Sequence, residues 1–198
     1  MSKTLKHDIK SNAILNIGME VIWSKGYNAT SVNDIVKAAG IPKGSFYFYF
    51  DSKEDFVLKS LDKYFESHFY PAIEVLQDKN FSPRERLLNF YEFRAKALKE
   101  ELNCKKGCLC CNMANEMAEH NEEIRKSVAS KSNLIKSHIV KVMVEAQEEG
   151  EISKTVDVEK LTGFIEDSGK GAMITMKEMN SAEPIENMLD IIRTLLLQ

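Results

Sequence analysis

Between Ser31 and Lys53 the chain carries residues able to touch a nucleic acid in several ways at once. Lys43 and Lys53 offer ammonium groups for phosphate. Ser45 offers a hydroxyl for a phosphate oxygen or a base edge, and Tyr47 and Tyr49 present hydroxyls on aromatic arms. Gly44 removes a side chain where backbone can approach the sugar–phosphate edge, while Ser31 and Asn33 add short polar groups just upstream. Lys53 opens a further helix, whose N-terminal N–H groups and dipole also favour phosphate. A second group with chemistry of its own is Cys104, Cys108, Cys110 and Cys111, which includes one CxxC from Cys108 to Cys111. Three readings of it stand side by side. The thiols are small buried hydrophobes; or Cys108 is a thiol sensor, its pKa lowered by Lys105, Lys106 and the start of a helix; or the cluster holds zinc, although a second, separated CxxC pair is absent.

The elements that must position these groups are helices. Ala13, Ile14, Ile17, Val21 and Ile22 recur at helical spacing and predict a first helix over about Lys6–Ser24, with Gly26 after its last turn. Thr30 or Ser31 can cap a short second helix carrying Val32, Ile35, Val36 and Ala39, which Gly40 ends. Pro42 suits a first helical position, so a third short helix runs over about Pro42–Tyr49. A short amphipathic helix, a three-residue turn containing glycine and a second short helix make a helix-turn-helix, whose second helix lies in the major groove. Phe46 and Phe50 follow Ile41 on its inward face, Tyr47 and Tyr49 face outward, and Phe48 is open to either side.

Asp51 or Ser52 caps a fourth helix with Val57, Leu61, Tyr64, Phe65 and Phe69 on one face, ended or bent at Pro71. Five longer segments follow, over about 83–102, 108–119, 121–148, 157–179 and 184–197, broken at Gly107 and Gly150. The expected fold is all-α with about nine helices. Residues 1–53 form a helix-turn-helix DNA-binding domain, and residues 54–198 form a domain for ligand sensing and dimerisation. Leu161, Phe164, Ile165 and Ser168, with Ile185, Met188, Leu189 and Ile192, form two apolar stripes suited to a four-helix bundle between two copies, and Ser168, Gly169 and Ala172 would allow close approach.

Charge distribution agrees. The whole chain carries −3, but residues 1–53 hold seven lysines against four carboxylates, a balance of +3, and the remainder carries −6. A basic module on an acidic body confines DNA contact to the N-terminal part and excludes a general nucleic-acid coat. No run approaches 18 apolar residues, and the N-terminus lacks the apolar segment of a secretory signal, so the expected location is the cytoplasm, where thiols stay reduced. No P-loop, dinucleotide fingerprint or zinc-protease motif is present, and no nucleophile–base pair persuades, which argues against an enzyme. A helical interaction module without DNA binding is the main alternative and leaves the recognition-helix chemistry unexplained; a small-molecule enzyme is the weaker one.

The stretch Ala39-Gly40-Ile41, Gly44-Ser45-Phe46-Tyr47, Phe50 and Lys53-Glu54 resembles the tetracycline-repressor (TetR) family over about residues 9–58. The resemblance implies a three-helix DNA-binding domain, a connecting fourth helix and a C-terminal domain that dimerises and binds an inducer. The expected partners are therefore operator DNA, a small-molecule inducer of unknown identity and a second copy of the chain, with no membrane and no cofactor. Tyr49 occupies the place usually held by His or Tyr before the final aromatic. The segment Gly107-Cys108-Leu109-x-x-Asn112 is similar to one in a subgroup of these regulators that control reductase and electrophile-response genes, which sets Cys108 above the other thiols.

Overall fold

The computed structural model describes the backbone of residues 3–196 and the side chains of residues 7–196; residue 197, where the last helix was expected to end, lies outside the described residues. Within them the secondary structure is helical: α1 (Lys3–Lys25), α2 (Val32–Ala38), α3 (Lys43–Tyr49), α4 (Lys53–His68), α5 (Tyr70–Gln77), α6 (Pro83–Lys96), a π-helical turn (Ala97–Glu101), α7 (Leu109–Met117), α8 (Glu122–Glu148), α9 (Val158–Met179) and α10 (Glu183–Leu196). The helix additional to the expected set is α5. α4 ends at His68, just before Pro71, which sits in the first turn of the new helix, where its missing N–H costs no hydrogen bond. No described helix is long and apolar enough to cross a membrane.

Two compact units emerge. The first comprises residues 1–66 and 109–129, the second residues 67–108 and 130–198. In the first, α1 turns inward Ile14, Leu15, Met19, Ile22 and Trp23, whereas Ile17 is exposed. This face is rotated from the expected one, and Gly18 is the physical reason. A Cβ there would lie 2.5 Å from Phe56 Cζ and 2.7 Å from Ile35 Cγ2, so only glycine lets α2 and α4 come this close. Local caps set the helix starts. Ser31 Oγ accepts from Asp34 N at 3.2 Å while Asp34 accepts from Ser31 N at 2.8 Å, a capping box that opens α2. Ser52 Oγ does the same for Asp55 N at the start of α4.

The second unit is built on α6, which packs against α5 and α10, with α10 also lying on α9. Ser82 and Glu85 form a capping box and Pro83 takes the first position. Leu87, Phe90, Ile139, Met143, Met176 and Ile185 fill its interior. Buried Arg86 donates to Leu76 O at 3.0 Å and to Glu145 at 2.5 Å, and Lys79 reaches the same carboxylate at 2.7 Å. The segment expected as one helix over 83–102 does not continue regularly. It widens into the π-turn and then passes through left-handed backbone at Asn103 and Cys104 before Gly107.

Candidate DNA-binding face

α3 has only seven residues, and its aromatics divide cleanly. Phe46 and Phe50 are buried, with ring centroids 5.2 Å apart, and both meet Phe56 of α4, at 5.7 and 4.9 Å. These contacts clamp α3 onto the unit. At about 100° per residue, position 48 points away from position 46. Phe48 is accordingly 67% exposed and Tyr47 54% exposed. Tyr49 is half-buried, 4.9 Å from the His7 ring and 5.1 Å from Phe48, and His7 also lies 5.3 Å from Phe48. Phe48 and His7 thus join the outer face beside Tyr47 and Tyr49. Phe48 was detectable from its phase relative to Phe46 and Phe50. Nothing in the sequence around His7 marked it.

Lys43 and Gly44 are exposed and Ser45 is half-buried, its backbone N donating to Pro42 O at 2.9 Å. An added Cβ at Gly44 would meet nothing within 4 Å. Glycine weakens a helix relative to alanine by about 1 kcal/mol, so packing inside the chain gives no reason for it. Ser31 and Asn33 are exposed at the start of α2. The Ser31 hydroxyl is engaged in the capping box. Together with its backbone N–H and Lys25, it holds the Asp34 carboxyl at about 2, below its ordinary 3.8.

Lys53 is placed differently from the rest. Its Nζ donates to Tyr27 O at 2.8 Å and Thr30 O at 2.9 Å, and sits 4.0 Å from the Tyr27 ring centroid. Burial lowers its pKa, with Glu116 opposing that shift. Two of its three N–H groups therefore hold the α1–α2 turn, which orients the helix-turn-helix. Glu116 of α7 grips the same turn, accepting from the backbone N of Tyr27 and of Asn28, both at 2.7 Å. Gly26, with φ +88°, leaves it room, since a Cβ there would lie 2.8 Å from Glu116 Oε2. Sequence reading missed Glu116, because 89 residues separate it from Tyr27 and no local pattern announces the contact.

The four cysteines are thiols on unlike backbone. Cys104 lies in the left-handed loop, Cys108 immediately before α7, and Cys110 and Cys111 inside it; Cys108 and Cys110 are buried, the others half-buried. Among the described residues no group of three or more His, Cys, Asp or Glu side chains is arranged to hold a metal ion. Cys108 lies close enough to Arg94 for their charges to interact.

Known proteins with the same features confirm the reading of the fold. The family described as "Bacterial regulatory proteins, tetR family" matches residues 14–59, and "Tetracyclin repressor-like, C-terminal domain" matches residues 83–192. The transcriptional repressor DhaR of Mycobacterium sp. (strain GP1) is 31% identical over 91% of this chain and 88% of its own length. The repressor NemR of Escherichia coli K12 is 23% identical over 99% and 98%. The solved structure of regulatory protein TetR from Rhodobacter sphaeroides superposes with a TM-score of 0.84 at 26% identity, covering 93% of this chain and 97% of that one. Family matches at both ends, and a helix-turn-helix whose outer face is built from Lys43, Gly44, Tyr47 and Phe48, give one conclusion: the chain belongs to the tetracycline-repressor family and is a DNA-binding transcriptional regulator.

Proposed function

We propose that the chain is a homodimeric, ligand- or thiol-responsive repressor that acts by binding and release of operator DNA rather than by catalysis. In this reading residues 1–53 contact DNA and residues 54–198 sense and dimerise. Lys43, Gly44, Ser45, Tyr47 and Tyr49 meet the major groove and its phosphates, Ser31 and Asn33 meet the flanking backbone, and Lys53 adds a phosphate contact through its remaining N–H. The observation that carries the proposal is the outer face of α3, where Tyr47 and Phe48 stand in solvent beside a glycine that internal packing does not require. The test is a salt-dependent binding measurement with the DNA upstream of the chain's own gene. Lys53→Ala weakens binding to all sequences and lowers the salt slope by about 1. Unchanged affinity and slope in both Lys53→Ala and Tyr49→Phe would defeat the assignment.

The second copy docks on α9 and α10. Phe164 and Ile191 are 63% and 58% exposed and border a groove of about 320 Å³ that also includes Ser168 and Leu195. Exposed apolar surface of this kind marks an interface, and a two-fold dimer presents two recognition helices to half-sites about one helical turn, or a multiple of it, apart. Ile165, Ile185, Leu189 and Ile192 of the same stripes are buried within the chain, and Gly169 faces Met188. Phe164→Glu with Ile191→Glu is thus the cleaner probe, expected to yield a monomer by sedimentation and to abolish tight operator binding.

The thiol route rests on Cys108. It is buried immediately before α7, with the Arg94 guanidinium close enough for their charges to interact. Alkylation by iodoacetamide, in which the thiolate sulfur bonds carbon and iodide leaves, releases operator from the native chain and not from Cys108→Ser. Equal inactivation of the two would remove Cys108 from the mechanism.

A further inference from the structure

Tyr47 carries a hydroxyl that can serve a base edge or a phosphate, but the Phe48 ring offers neither donor nor acceptor. Yet among the described residues no large apolar side chain is more exposed than Phe48. The ring is exposed but not loose. Its centroid lies 5.3 Å from that of His7, at an interplanar angle of 66°, and 5.1 Å from that of Tyr49, at 89°. His7 and Tyr49 close the triangle at 4.9 Å. Edge-to-face pairs at such distances attract, and here they tie the start of α1 to α3. We infer that Phe48 is a specificity-determining residue that reads the 5-methyl group of a thymine in the operator, and that His7 is the positioning residue that aims it. The inference rests on the DNA-binding role proposed for α3 and names what one of its side chains reads.

The chemistry of the ring selects its target. Every base pair presents donors and acceptors on the floor of the major groove, and thymine alone adds an apolar group, its methyl. A phenyl ring pressed on a polar base edge would take water from donors or acceptors and give nothing back. Against a methyl group, both surfaces leave water and nothing is left unpaired. The backbone clears the approach. Residues four apart share a helix face, and side chains lean toward the N-terminus, so Phe48 stands on the face of Gly44. A Cβ at Gly44 would meet nothing within 4 Å, so the space beside the ring is open from outside. Internal packing gives no reason for that glycine, whereas a base edge drawing alongside Phe48 needs the room. His7 matters because a free ring loses rotational freedom on binding, and one already held loses less.

The experiment scans an operator for methyl dependence. Selection with the full chain from a pool of random-sequence duplexes supplies the operator. Each thymine in it is then replaced in turn by deoxyuridine, which pairs identically and lacks only the methyl. The expected result is a thymine in each half-site at which deoxyuridine weakens binding of the native chain about fourfold, the effect of burying one methyl-sized group. Phe48→Ala should bind the thymine and deoxyuridine operators equally. His7→Ala should lose most of the discrimination, whereas His7→Phe, which keeps a ring in that place, should retain it. Should Phe48→Ala not fold, Phe48→Gln makes the same comparison with a polar chain at this exposed position. No methyl-dependent thymine, or the same penalty in the native chain and the Phe48 variant, would overturn the reading by Phe48. An undiminished penalty in His7→Ala, or its loss in His7→Phe as well, would overturn the positioning role. A pool that yields no enriched sequence defeats the proposed function itself, whereas an operator bound tightly without methyl dependence defeats this inference alone.

Discussion

α3 and α6 divide their aromatic residues differently. In α3, five successive rings from Phe46 to Phe50 are divided, with Phe46 and Phe50 buried and Tyr47 and Phe48 in solvent. In α6, Phe90 and Tyr91 are both buried, 5.1 Å apart, phenol included, and only Phe93 reaches solvent, at 39% exposure. A seven-residue helix resting on one face can cover only its i and i+4 side chains, so its remaining rings serve an outside surface. α6, packed against α5 and α10, buries six of its fourteen residues, Arg86 and Tyr91 among them. Its buried polar atoms must then find partners inside, as Arg94 does with Glu166, beside which the Tyr91 phenol also lies. The outward rings of α3 therefore face solvent, while the buried polar groups of α6 meet partners inside the chain.

The largest expected effect tests the division within α3. Phe46→Ala should cost about 3–5 kcal/mol of stability by opening a cavity against Phe50 and Phe56. Phe48→Ala should stay within about 0.5 kcal/mol of the native chain yet weaken operator binding. Urea denaturation paired with DNA titration reads both, and equal destabilisation by the two would erase the contrast.

Next is the buried pair of the second unit. Glu166→Gln leaves Arg94 without its counter-charge and should cost about 2–4 kcal/mol, whereas Arg94→Leu with Glu166→Leu recovers much of that loss. A double variant no more stable than Glu166→Gln would show that the pair stabilises in its own right.

Lys43 and Lys53 should differ in kind. Lys53→Ala removes two charged hydrogen bonds to the α1–α2 turn and should cost about 1–2 kcal/mol of stability besides its effect on DNA. Lys43→Ala should change stability by less than about 0.5 kcal/mol while lowering the salt slope by about 1. Hydrogen exchange at Thr30 N, rising in the first variant only, would sharpen the distinction.

The smallest effect concerns Asp34, whose carboxyl sits at about 2 instead of 3.8, with the Ser31 hydroxyl as the largest cause. A carboxyl depressed on folding contributes stability above its ordinary value and loses that contribution as the pH falls from 3.8 through about 2. An NMR titration of Ser31→Ala should find the Asp34 midpoint moved upward. An unmoved midpoint would mean that Lys25, 3.3 Å away, holds the carboxylate down.

Much of this molecule could be read from its residues because the deciding interactions are local. Ser31 with Asp34, Ser82 with Glu85, and Pro42 ahead of α3 act within one turn of helix, so a few neighbouring letters announce them. The same holds for Phe46 and Phe50 facing inward, since i and i+4 share a face in any helix. The exposure of Phe48 followed from the same geometry but needed the packed neighbours to settle it. Contacts over long separations were decided only in three dimensions. Gly18 yields to Phe56, Glu116 holds Tyr27 from 89 residues away, and Glu166 meets Arg94 across 72. The same is true of the inward face of α1 and of the buried Tyr91 hydroxyl. Hydrogen bonds and burial depend on which surfaces meet, and helical periodicity states only which residues share a face, not what that face will find.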